Sequence, residues 1–173
     1  MVSLMQQPLA VLIVALAPQS GKSTVAALVA ERLATPWRSS STPVVERLEG
    51  ELGLAPGTIA RERALDHDRY RAELVALGDE MAERGELPGV LCVEAGFRVI
   101  DGIRREHELA ATRDAARAKG WRTLILCVER PGQQLTDNTE AEALRRAADL
   151  MLLNDGSLDD LRRRVDAALG LEQ

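Results

Sequence analysis

From Leu9 to Leu16 the chain is an unbroken aliphatic run, Leu-Ala-Val-Leu-Ile-Val-Ala-Leu. A run without alternation predicts a strand buried on both faces, as in a parallel sheet. Thr24 to Leu33 then repeats Ala, Leu and Val at helical spacing, with Glu31 and Arg32 on the polar side. Thr35 to Gly57 holds Pro36, Pro43, Pro56 and several serines, and reads as an irregular excursion. Periodicity returns over Asp66 to Arg84, where Leu74, Leu77 and Met81 recur at spacings of three and four. Phe97 to Asp101 predicts a second strand, stopped by Gly102, and Ile103 to Lys119 a charged helix closed by Gly120. Arg122 to Val128 is a third strand, broken by Pro131-Gly132. A helix over Asn138 to Ala148, a fourth strand over Asp149 to Leu153 and a last helix over Leu158 to Leu169 complete the pattern. Ser157 suits the last helix as an N-cap, with Asp160 three residues on.

Alternating strands and helices predict an α/β fold in three layers, a parallel sheet of four to five strands with helices on both faces. The 173 residues suit a single domain spanning 1–173. One Phe, one Tyr and two Trp leave the core to Ala, Leu, Val and Ile. Cys92 and Cys127 sit inside apolar runs, too few for a disulfide scaffold and not at zinc spacing, so they read as core thiols in a reducing compartment. No apolar run reaches the roughly 20 residues that span a bilayer, and the start of the chain lacks the basic residues of a signal peptide. The expectation is a cytoplasmic protein with no membrane partner. A net charge of −5 gives no electrostatic reason to wrap nucleic acid.

In parallel sheets ligands bind at the carboxyl ends of the strands, so the residues after each strand carry the chemistry. The first strand runs into Leu16-Ala17-Pro18-Gln19-Ser20-Gly21-Lys22-Ser23-Thr24. Gly, four residues, then Gly-Lys-Ser/Thr between strand and helix is a phosphate-cradling loop. Gly21 lets backbone N–H groups turn toward phosphate oxygens, and the helix N-terminus adds its positive dipole end. Lys22 supplies a cation for the β- and γ-phosphates, and the Ser23 hydroxyl a ligand for magnesium. Gln19, Ser20 and Thr24 complete the loop. Leu16 stands where the pattern has its first glycine, with small Ala17 beside it. An ordinary strand-to-helix turn containing Gly-Lys is the alternative, and the correct flanks on both sides speak against it. Only two lysines, Lys22 and Lys119, occur among 22 basic residues, and one of them is in this loop.

At the second strand's end stands Val99-Ile100-Asp101-Gly102-Ile103-Arg104-Arg105. Asp101 beside a phosphate loop suits a magnesium ligand or a residue orienting the attacking oxygen. Arg104, expected at the start of the next helix, suits a bidentate phosphate contact. The competing roles are a helix cap for Asp101 and a solvated surface for Arg104.

A strand ending Asp-Gly followed by Arg resembles that of adenylate-kinase-type nucleoside monophosphate kinases. Thr136-Asp137-Asn138-Thr139-Glu140, followed by the stretch Ala148 to Leu161 with Asn154-Asp155-Gly156, resembles the C-terminal part of the deoxynucleoside monophosphate kinases of bacterial viruses. The resemblance covers the phosphate loop and most of residues 97–165, and leaves residues 35–65 unmatched. It implies a P-loop kinase fold, ATP and Mg2+ as cofactors, Gly21, Lys22 and Ser23 on the phosphates and magnesium, and Asp101 and Arg104 between donor and acceptor. It further implies Asn154 and Asp155 near the adenine, and a short lid over 130–140 opened by Arg130. That lid is poor in arginine, and Arg145 or Arg146 could substitute.

Acceptor recognition is expected within residues 35–95. Arg69, Tyr70 and Arg71 are the main candidates, with Arg61, Arg63, Trp37 and His67 beside them; arginines suit a phosphate and Tyr or Trp a base. Alternating charges at Asp66, Asp68 and these arginines equally suit a solvated face. His107 reads as a surface residue. Three functional readings follow. One is an ATP-dependent kinase making deoxynucleoside diphosphates from monophosphates. Another is a relative of the phage kinases that phosphorylate hydroxymethyluracil within DNA. The third is a nucleotide-binding switch with little turnover. The partner is thus a deoxynucleotide, free or in DNA; the oligomeric state stays open, a homodimer included.

Overall fold

The computed structural model describes residues 7–133 and 138–171. Five strands, β1 (Leu9–Ala15), β2 (Trp37–Ser39), β3 (Val99–Ile103), β4 (Arg122–Glu129) and β5 (Leu150–Leu153), form one sheet in the order β2-β3-β1-β4-β5. Every pairing is parallel. The helices are α1 (Lys22–Arg32), α2 (Thr42–Glu51), α3 (Thr58–Leu65), α4 (Arg71–Glu83), α5 (Pro88–Glu94), α6 (Glu106–Ala118), α7 (Asn138–Ala147) and α8 (Leu158–Ala168).

The unbroken apolar run of β1 is explained by its two faces. Ala10, Leu12 and Val14 point into one core layer with Cys92 and Val93 of α5, Leu109 of α6 and Leu144 of α7. Val11 and Ile13 point into the other, against Val25 and Val29 of α1 and Leu161 and Val165 of α8. Each layer removes a full row of aliphatic side chains from water, at roughly 25 cal/mol per Å2 of apolar surface. A third, smaller cluster gathers Val44 and Leu48 of α2, Ile59 of α3 and Leu77 and Met81 of α4 beyond the β2 edge.

The chain leaves β1 for the far edge at β2, returns to β3 beside β1, and then crosses to β4 on β1's other side. The connections diverge around β1, and this divergence opens a crevice at the carboxyl ends of the strands.

Several boundaries depart from the sequence pattern. Residues 35–57 are not irregular: they contain β2 and α2. A three-residue strand shows no periodicity and exists only because it pairs with Val99–Asp101. The helix expected over Asp66–Arg84 starts at Arg71, because Asp66 is extended and Tyr70 is left-handed (φ 63°). The Asp66 carboxylate accepts from Asp68 N at 3.2 Å within that turn. Gly102 does not stop β3. At φ 85° it lets the strand continue to Ile103 while the register against β1 slips by one residue. A Cβ there would sit 3.1 Å from Ser39 Oγ. Arg104 consequently lies in the turn before α6, not at a helix start. The Ser157–Asp160 capping box is present. Among the described residues no helix is long and apolar enough to cross a membrane.

The α2–α3 connection depends on one carboxylate. Glu49 is buried in α2, and its Oε2 accepts from Gly57 N at 2.9 Å and its Oε1 from Ile59 N at 2.8 Å. Gly57, the N-cap of α3, has no side chain to cap the helix, so Glu49 does so from the neighbouring one. Glu49→Ala strands one buried and one part-buried N–H donor, and we expect it to cost about 2–4 kcal/mol and to lower the thermal midpoint by roughly 5–10 °C. Circular dichroism melting checks this; an unchanged midpoint removes Glu49 from that role.

Candidate active site at the carboxyl edge of the sheet

The loop after β1 joins strand to helix without a conventional cap. Leu16 occupies the first-glycine position of the phosphate-loop pattern, yet its side chain is buried in the core layer under α5–α7 and its backbone is not left-handed. Nothing at this position demands glycine. Left-handed geometry falls instead on Gln19 (φ 57°) and Gly21 (φ 95°). For Gln19 that conformation costs of order 1 kcal/mol and persists only where neighbours fix it. Gly21 is the N-cap of α1, no side chain caps this helix, and no acidic residue stands in its first turn. The donors of Lys22, Ser23 and Thr24 and the positive end of the helix dipole are left for an external anion.

Register between β1 and β3 sets Asp101 opposite Ile13, just below this loop. Asp101 is fully buried. Its Oδ2 accepts from Ser23 Oγ at 2.7 Å, and its Oδ1 has no partner. A desolvated carboxylate with a free oxygen calls for a cation. Burial pushes the Lys22 ammonium below the ordinary lysine value, the Asp101 charge beside it opposes this, and Arg104 adds to it. Lys22, Ser23, Asp101 and Arg104 therefore lie together at one edge of the sheet. Arg104 is exposed and has no ion-pair partner among the described residues. Its neighbour Arg105 pairs with Asp79 of α4, and Glu106 N donates to Glu140 Oε2 at 3.1 Å, fixing the turn between α4 and α7. Ser23 Oγ and Asp101 are the residues that could hold a divalent cation, and the unpaired buried Oδ1 fits one.

Two side chains tie the loop to the rest of the sheet edge. Asn154, expected near an adenine, turns its amide into the protein: Nδ2 donates to the Ser20 carbonyl at 2.9 Å. A Cβ on Gly21 would lie 2.3 Å from the same nitrogen. Gln133 Nε2 donates to the Gln19 carbonyl at 3.1 Å. Ser20 is buried, with its hydroxyl unpartnered. Arg130 is exposed just past β4, Arg145 pairs with Glu129 at 3.2 Å, and Asp155 is held by Arg164 at 2.6 Å. Residues 134–137 of the expected 130–140 lid, Thr136 and Asp137 among them, lie outside the described residues.

On the acceptor side the leading candidates are spoken for. Arg69 Nε pairs with Glu62 at 3.0 Å, the Tyr70 hydroxyl donates to the same carboxylate at 2.6 Å, and Arg71 pairs with Asp68 at 3.0 Å. These three knit the α3–α4 turn together. Trp37 opens β2, whereas Ser39, at the other end, is the one level with Asp101. The cavity beside the site, about 390 Å3, is lined instead by Ser41, Thr42, Val45, Ile59, Arg63 and His67. Ser40, one residue before the lining Ser41, donates its N–H to the Asp101 carbonyl at 2.7 Å. Arg61 bonds Thr58 and His107 is exposed on α6. Sequence reasoning overlooked Ser41 and Thr42 because they fell in a stretch without periodicity; the serine run before Pro43 was the available signal.

A five-stranded parallel sheet with an uncapped Gly-Lys-Ser helix start beside a buried aspartate defines the P-loop class of α/β proteins. No family profile matches the chain. A deoxynucleotide monophosphate kinase of Enterobacteria phage T4 is 37% identical over 75 residues, 42% of this chain but only 29% of the phage protein's length. A dephospho-CoA kinase of Deinococcus radiodurans is 31% identical over 184 residues, covering 87% of this chain and 86% of that protein. Among solved structures, a shikimate kinase from Acinetobacter baumannii superposes with TM-score 0.51 at 12% identity, over 94% of each chain. A kinase from Chloroflexus aurantiacus gives TM-score 0.50 at 15% identity, over 95% of this chain and 96% of that one. The last two show the shared fold. The chain belongs to the family of P-loop kinases that includes the Deinococcus enzyme, and it is a phosphotransferase. Kinase membership implies ATP as the phosphoryl donor.

Both cysteines are packed away from this chemistry. Cys92 lies beneath β2, its Sγ 3.7 Å from the Ser39 carbonyl. Burial pushes the Cys92 thiol up to about 12 and that of Cys127 up to about 11. Thiolate is the reactive form, so iodoacetamide at about pH 8 should label neither residue in the folded protein and both after denaturation. Mass spectrometry reads the result; rapid native labelling of either contradicts the burial.

Proposed function

We propose that the protein transfers the γ-phosphoryl group of ATP to a nucleotide acceptor, a deoxynucleoside 5′-monophosphate, giving the diphosphate and ADP. The observation that carries the reading is the Ser23–Asp101 hydrogen bond beside Lys22, with Asp101 buried and one oxygen free. In it the triphosphate lies on the loop backbone of Gln19, Ser20 and Gly21 and the start of α1, with Thr24 in the first turn. Lys22 meets the β- and γ-phosphates as a compact point charge, a shape that suits the loop better than a guanidinium. Ser23 and Asp101 would hold Mg2+, whose charge offsets that of the phosphates. Arg104, with no ion-pair partner among the described residues and near Lys22, meets the oxygens of the transferring group as their charge shifts. The acceptor phosphate oxygen attacks in line, the bond from the γ-phosphorus to the bridging oxygen breaks, and ADP leaves.

The acceptor reading rests on the cavity lined by Ser41, Thr42 and Arg63 and on the local similarity to the phage deoxynucleotide monophosphate kinase. Arg63, whose Nε donates to the His67 carbonyl at 3.3 Å, replaces Arg69, Tyr70 and Arg71 as the leading acceptor contact, because it lines the cavity and has no carboxylate partner among the described residues, whereas those three are engaged with Glu62 and Asp68. A second reading, a dephospho-CoA acceptor, is favoured by the length over which the Deinococcus enzyme aligns.

With labelled ATP and Mg2+, three acceptor panels separate the possibilities: deoxynucleoside monophosphates, dephospho-CoA, and DNA containing hydroxymethyluracil. We expect label in the first. Label in the second or third alone reassigns the acceptor, and ATP bound without transfer to any of them overturns the kinase reading in favour of a switch. Lys22→Ala should slow transfer by about 10²–10³-fold with an unchanged melting profile, and normal turnover in it sinks the loop assignment. Arg104→Ala should slow transfer by roughly tenfold or more; an unchanged rate returns Arg104 to the solvated surface.

A further inference from the structure

We infer that Asn154 is a positioning residue of the phosphate loop, acting through the Ser20 carbonyl rather than on the nucleotide base. The inference rests on the reading of this loop as a triphosphate site.

A loop that turns its N–H groups inward must turn the intervening carbonyls outward. The Ser20–Gly21 peptide shows what this demands. Ser20 is fully buried between two left-handed residues, Gln19 and Gly21. Its carbonyl points into the protein and finds one donor, Asn154 Nδ2 at 2.9 Å. Without that donor the carbonyl is a buried acceptor with nothing to accept from. Rotating the peptide relieves this, since Gly21 tolerates either sign of φ. The rotated carbonyl then faces the phosphates, where its negative end repels them and one N–H is lost from the cradle.

Asn154 is itself immobilised. Its backbone N–H donates to the Glu129 carbonyl at 2.8 Å, at the end of β4. Arg164 of α8 bonds both the Leu153 carbonyl and the Asp155 carboxylate on either side of it. The Ser157–Asp160 capping box fixes the start of α8 three residues on. The side chain also fills the space that a Cβ on Gly21 would enter. Asn154 thus holds one loop peptide in place from a rigid turn on a different strand.

The test compares binding of ATP, GTP and inorganic tripolyphosphate, each with Mg2+, by calorimetry on the wild type, Asn154→Ala and Asn154→Asp. A residue that acts on the loop backbone affects every triphosphate alike; one that reads the base does not. We expect Asn154→Ala to weaken all three ligands by a common factor of about ten, leaving the ATP-to-GTP ratio unchanged. Asn154→Asp, of the same shape but setting an acceptor against an acceptor, should weaken them further. A loss confined to ATP, or no loss in either variant, overturns the proposal. Thermal melting of the unliganded variants establishes that each is folded; if the alanine variant is not, wild-type affinity in the isosteric aspartate variant is the overturning result. A wild type that binds none of the three ligands overturns the phosphate-loop reading itself, a failure distinct from that of Asn154 alone.

Discussion

Asp101 is a carboxylate with no exposure to solvent, set in the body of a central parallel strand and only half satisfied by the Ser23 hydroxyl. A buried charge of this kind is tolerated only where opposite charge or donors gather around it; here the Ser23 hydroxyl donates to it and the Lys22 ammonium stands beside it, with Arg104 near Lys22 in turn. The arrangement constrains the fold around it. β3 must lie beside β1 so that Asp101 comes level with the loop, which forces β2 outward to the edge. Gly102 must allow the strand to slip register there, and α1 must begin without a cap so that Ser23 can donate across to β3.

The packing that supports this edge is aliphatic and two-sided. β1 supplies alternate side chains to both layers, so the strand that carries the loop is buried on both faces. The acceptor side is built differently. Its core is a small satellite of five buried side chains from α2, α3 and α4, held together by one buried carboxylate and a set of exposed ion pairs. Exposed pairs contribute little each. A two-sided aliphatic sheet joined to a lightly packed α2–α4 cluster is an arrangement in which the second can change without disturbing the first.

Much of this was legible in the residues. The runs at Leu9–Leu16 and Arg122–Val128 and the periodic stretches after Ile103 and Leu158 had one physical reading each, because a doubly buried strand and an amphipathic helix leave distinct patterns. Gly-Lys-Ser after the first run, and Asp-Gly-Ile-Arg after the second, announced the cluster that the fold assembles. β2 was illegible, since three residues carry no period and its pairing partner lies sixty residues on. The continuous helix read over Asp66–Arg84 failed because Tyr70 adopts a left-handed conformation that its residue type does not advertise. Arg69, Tyr70 and Arg71 looked available because a sequence shows charge but not the carboxylates that neutralise it.

Taken alone, the amino-acid sequence determined the class of fold, the aliphatic core and the Gly-Lys-Ser junction between strand and helix, since all three depend on short-range order: spacing, run length and the neighbours of one lysine. Tertiary structure decided the rest. Only the strand order brings Asp101 to Ser23 across 78 positions of chain, and only the β5–α8 turn brings the Asn154 amide to the Ser20 carbonyl across 134. It likewise decided that Arg63 faces the cavity while its neighbours bond one another. A contact between distant segments is fixed by the packing of every element between them, and no local pattern encodes it.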